Sequence, residues 1–137
     1  MLLVAIRCSL TFGGNSIVSS PLLDRPGAVE AEGIDAGVAA HYGSFFKEQL
    51  ALLEGDAFCD LSNRDVFRVT GPDRLGWLHS LTTQHLTDLA PHMWTDVLIL
   101  TPQGRIEHAF SGFDDGETFW AHTEPQAGEA LVGWLDK

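Results

Sequence analysis

Six histidines and two cysteines are the residues of this 137-residue chain with the most chemistry to offer. A metal site needs imidazoles or thiolates on one face, as two histidines four apart on a helix or a Cys-x-x-Cys pair provide. His79 and His85 are six apart, His85 and His92 are seven apart, and neither Cys8 nor Cys59 belongs to such a pair. The spacing therefore spells out neither a zinc site nor an iron–sulfur ligand set. It predicts surface or core histidines and a reduced, buried Cys59. His108 stands on an extended segment that starts at Arg105, where the two-residue period puts it on one face with Ile106 and Phe110. Two roles fit an imidazole there: a core histidine bonded to backbone, or the wall of a ligand cavity.

Other reactive patterns are missing. The string Gly71-Pro72-Asp73-Arg74-Leu75-Gly76 lacks the Lys–Ser/Thr pair that completes a phosphate loop, and there is no GxGxxG and no GxSxG. Carboxylates are abundant, but no pair is marked out for acid–base work. The residues alone give no catalytic group and no metal ligand. Acidic residues number 19 against 8 Lys and Arg, a formal net charge of -11. Such a surface repels phosphate backbones and excludes nucleic-acid binding through a general basic patch. Arg64, Arg68, Arg74 and Arg105 leave room for a local basic spot.

These residues need elements to position them. Residues 1–34 hold Gly13, Gly14, Pro21, Pro26, Gly27 and Gly33 with little periodicity, and are expected to form an irregular arm. From Asp35, Val38, Tyr42, Phe46, Leu50 and Leu53 follow helical spacing, with Gly43 able to split the helix and Gly55 to end it. Two extended stretches follow, 57–61 and 65–70, around the turn Ser62-Asn63-Arg64. Pro72 suits the first turn of a helix carrying Leu75, Trp77, Leu78 and Leu81. The apolar run 97–100 predicts a strand covered on both faces. Turns at 101–104 and at Asp114-Asp115-Gly116 separate strands over 105–113 and 117–122. Ala127, Ala130, Leu131, Trp134 and Leu135 give a final amphipathic helix. The fold class expected is α+β, an antiparallel sheet packed by helices.

No apolar run approaches the roughly 18–20 residues that span a bilayer. The opening MLLVAIRCSLTFGG has no positive leading region and is interrupted by Arg7, which predicts a loose extension rather than a secretory signal, and a cytoplasmic protein.

An ordered series of strings adds a resemblance. Cys59-Asp60-Leu61-Ser62 precedes Gly71-Pro72-Asp73-Arg74-Leu75-Gly76-Trp77-Leu78-His79-Ser80-Leu81-Thr82-Thr83, then Leu98-Ile99-Leu100-Thr101-Pro102-Gln103-Gly104-Arg105-Ile106, and finally the helix with Trp134-Leu135. Over roughly residues 35–137 this resembles the opening of the glycine-cleavage T-protein/YgfZ superfamily. The resemblance implies a folate-binding domain over 35–137 that walls a cavity for tetrahydrofolate or a derivative. T-proteins carry an Asp-Asp pair where this chain has His108 and Ala109, and a methionine where it has Arg64. These departures move the chain toward the YgfZ branch, whose members bind folate without transferase chemistry and assist iron–sulfur client proteins. The alternatives are a tetrahydrofolate-dependent aminomethyl or one-carbon transferase, and an interaction domain or fragment without a ligand site. The branch signature K-G-C-[YF]-x-G-Q-E does not occur, so the chain is expected to be an N-terminal piece. By position, the resemblance points to Arg64, Asp96, His108 and Glu124 as folate-binding residues, with Arg64 and His108 facing the glutamate tail or the pterin.

Overall fold

The computed structural model describes residues 19–137. Cys8 and the first part of the expected arm lie outside the described residues. Within them the chain divides between Arg64 and Asp65 into two compact units.

In residues 19–64, Ser20 caps a 3-10 turn over Pro21–Asp24, its Oγ accepting from the Leu22 N–H at 3.1 Å. Strand β1, Val29–Glu30, pairs antiparallel with β2, Ala39–His41. Helix α1 covers Phe45–Glu54. The helix expected from Asp35 thus starts ten residues later. Gly43 has φ 118°, a conformation open to glycine that ends any helix, and residues 39–41 are committed to β1. The helical spacing of Val38 and Tyr42 is coincidental. Instead the Glu48 carboxylate reaches back to accept from the Tyr42 and Ser44 N–H groups at 2.9–3.1 Å, satisfying donors at the helix start.

No strand forms over residues 57–61. The Asp60 carboxylate accepts from the Ser20 hydroxyl and from the Ser62 N–H, folding the segment into a side-chain-anchored turn. These bonds, with the Ser20 contribution largest, lower the Asp60 pKa below the usual carboxylate range. Away from a sheet, Cys59 is exposed rather than buried.

Residues Asp65–Lys137 form the α+β layer. Strands β3 (Asp65–Thr70), β4 (Thr95–Leu100), β5 (Ile106–Asp114) and β6 (Thr118–Thr123) make one antiparallel sheet in the order β3-β6-β5-β4. Helices α2, Arg74–Leu81, and α3, Gly128–Leu135, supply the apolar cover of one face. Phe67, Val69, Val97, Ile99, Phe110, Phe119 and Ala121 point from the strands into this core, and Leu78, Leu86, Leu131 and Leu135 meet them. The rings of Phe67 and Phe110 pack edge to face at 5.3 Å. Gly112 is required at its place, because a Cβ would lie 2.3 Å from the Trp120 carbonyl oxygen.

The run 97–100 was expected to be covered on both faces. It is instead an edge strand with alternating burial: Val97 and Ile99 are buried, Leu98 is half-buried and Leu100 is exposed. Its apolar run reflects side chains on a second, partly open face. Among the described residues, no helix is long and apolar enough to cross a membrane.

The turn between β5 and β6 organises this unit. Arg74, first residue of α2, grips Asp114 with two bonds of 2.6 Å, from Nε to Oδ2 and from the terminal nitrogen to Oδ1. The side chains are 11% and 3% exposed. The Asp114 bond, ahead of the burial that opposes it, raises the Arg74 pKa. Asp114 also accepts from the Gly116 N–H, and its carbonyl accepts from the His92 N–H. Neighbouring Asp115 accepts from the Glu117 and Thr118 N–H groups and from the Trp120 indole, which holds its carboxyl at about 2.

Replacing Arg74 by Leu should therefore cost about 3–5 kcal/mol, because Asp114 is left buried and charged without its partner. Urea unfolding of the variant measures this, and a loss below about 1 kcal/mol contradicts the assigned role. Asp115 has a depressed folded pKa, so its contribution is complete above the unfolded value near 4 and fades as pH falls toward 2. The variant Asp115→Asn should show a weaker loss of stability between pH 4 and 2 than the parent, read from thermal melts across that range.

Candidate functional site

Strand alternation sends a second set of side chains to the face opposite α2 and α3. Asp96 and Leu98 come from β4, Ala109 and Ser111 from β5, and His122 from β6. Pairing aligns three of them in one row across three strands: Asp96 opposes Ser111, and Ser111 opposes His122. The Ser111 hydroxyl donates to Asp96 Oδ1 at 2.6 Å. The Trp94 ring stands 5.7 Å from the His122 ring and 5.1 Å from that of Phe113.

An open cleft of about 240 Å³ on this face is bounded by Asp96, Val97, Leu98, Ala109, Phe110, Ser111, His122 and Glu124. Leu98 and Ala109 give it apolar side chains, Ser111 and His122 polar ones, and Asp96 and Glu124 carboxylates. A hydroxyl, a carboxylate and an imidazole in one row invite comparison with a nucleophilic triad. The order is wrong for that chemistry: the hydroxyl donates to the acid, whereas activation needs it to donate to the imidazole. The row carries no arranged nucleophile.

Of the four residues to which the resemblance points, Asp96 and Glu124 are brought together as lining of this cleft. His108 stands on the other face of β5, half-buried, with its ring 6.1 Å from Trp134 of α3 in an edge-on contact. Arg64 closes the other unit, its N–H bonded to the Leu61 carbonyl at 3.0 Å. The arginines of the expected basic spot have separate engagements: Arg74 holds Asp114, and the Arg68 guanidinium lies 5.8 Å from the centre of the Trp120 ring.

Sequence reasoning missed Ser111, His122 and Trp94. Their grouping depends on the register of β4, β5 and β6, and the period-two pattern of each strand shows only that they avoid the core. The His79 and His85 rings approach to 4.6 Å, and His85 Nε2 lies 2.9 Å from the Thr87 hydroxyl. Among the described residues, no group of three or more His, Cys, Asp or Glu is placed to hold a metal ion.

No protein-family model matches this chain, and no curated protein matches it.

Proposed function

We propose that the cleft on the second face of the sheet binds the pterin head of a reduced folate, and that the chain acts as a YgfZ-type folate-binding protein assisting iron–sulfur proteins. The observation that carries the pterin reading is the joint placement of Asp96 and Glu124 at one cleft beside the apolar side chains of Leu98 and Ala109. A pterin presents a ring N–H and an exocyclic amine side by side. That pair of donors matches the two oxygens of a carboxylate, as a guanidinium does. Leu98 and Ala109 offer apolar surface to the flat bicycle. A volume of about 240 Å³ lies below the ~300–1,000 Å³ of sites that enclose a drug-sized ligand, and suits the bicyclic head without the aminobenzoyl-glutamate tail.

A bound tetrahydrofolate would supply one-carbon carrier chemistry; the protein's residues bind and orient it. Ser111 donates to one oxygen of Asp96 and so restrains the carboxylate. The chain is read as non-catalytic because His108 and Ala109 occupy the positions of the carboxylate pair that T-proteins use, and a methyl group cannot orient or charge an amine. The iron–sulfur role, like the cytoplasmic location, rests on the sequence reading.

Calorimetric titration with tetrahydrofolate under reducing conditions tests the proposal. Binding is expected, with 6-methyltetrahydropterin retaining most of it. Asp96→Ala should weaken binding by about tenfold or more, as loss of a charge-assisted pair does. Ala109→Leu should abolish it by filling the cleft. Absence of binding at millimolar ligand contradicts the proposal.

A further inference from the structure

Helix α1 turns its large apolar side chains outward. Phe46, Leu50 and Leu53, at i, i+4 and i+7, form one stripe and are 80%, 43% and 85% exposed. No residue of α1 is buried. A stripe of this kind marks an interaction surface. An anionic membrane or a nucleic acid would meet a chain of net charge -11, so a protein helix is the better occupant.

The flank of the stripe identifies which helix. Lys47 and Glu54 are exposed and seven residues apart, hence on the same side of the stripe with one near each end. When two copies of a helix cross antiparallel, each flank faces the same flank of the other copy. Lys47 of one copy then comes level with Glu54 of the other, twice over. Phe46 comes level with Leu53, and Leu50 meets its counterpart near the two-fold axis. A parallel pairing would turn this flank toward the opposite flank of the other copy, away from both Lys47 and Glu54, and lose the match.

We infer that α1 is a self-complementary docking surface for a second copy of this chain, packed antiparallel through Phe46, Leu50 and Leu53 and held in register by Lys47–Glu54 pairs. The inference is independent of the folate reading. At physiological ionic strength the overall negative charge is screened beyond about 8 Å, whereas the flanking pairs act at contact.

Sedimentation velocity on the full chain, over about a hundredfold range of concentration, tests it. A monomer–dimer equilibrium is expected. The exposed pair Phe46→Ala/Leu53→Ala should weaken it by about tenfold or more while leaving the far-ultraviolet spectrum unchanged. Lys47→Glu and Glu54→Lys should each weaken the dimer, and the double variant Lys47→Glu/Glu54→Lys should restore it. Each single change places charge favourably for the helix dipole, so loss of the dimer would not report a melted helix. A monomer at every concentration overturns the inference. So does self-association that ignores the charge swap, or a spread of larger aggregates.

Discussion

The buried pair between Arg74 and Asp114 is the constraint on which the larger unit depends. It ties the first residue of α2 to the last residue of β5, two elements 40 positions apart in sequence. Burial of two charges is tolerable only with complete pairing, and here the guanidinium fork and the carboxylate satisfy each other while the Gly116 N–H takes a further acceptor site. The pair fixes where α2 starts and where β5 stops. With both ends set, the β5–β6 register follows, and Leu78 is delivered onto the sheet to join Val69, Val97 and Phe119.

The same register builds the second face. Because side chains alternate strictly along each strand, committing Val97, Phe110 and Ala121 to the core commits Asp96, Leu98, Ala109, Ser111 and His122 to the opposite side. The cleft is thus a consequence of core packing. A slip of one residue in β5 would bury Ser111 and carry Phe110 to the cleft, so the site is protected by the apolar core beneath it. The carboxylates of Asp96 and Glu124 then line the cleft beside Leu98 and Ala109.

Much of this architecture could be read from local pattern. The Asp114-Asp115-Gly116 turn, the amphipathic spacing from Ala127 to Leu135, and the helix that begins two residues after Pro72 all carry short-range signals that tertiary contacts reinforce. The failures have physical causes. Val38 and Tyr42 imitate helical spacing, while Gly43 and the pairing of residues 39–41 decide otherwise. The apolar run 97–100 suggests two-sided burial, yet β4 lies at the sheet edge, which only strand order reveals. Asp60 gives segment 57–61 a turn because Ser20, 40 residues away, donates to it. Asp96 and Glu124 share a cleft, whereas His108 goes to the opposite face, and one position along a strand makes that difference.

The proposed function puts pterin recognition on the second face of the sheet. Amide chemical-shift mapping during titration with 6-methyltetrahydropterin addresses it most directly. The account predicts perturbations confined to residues 96–98, 109–111 and 122–124. Shifts centred on α1 or around His108 and Trp134, or a spectrum that does not move, would contradict it.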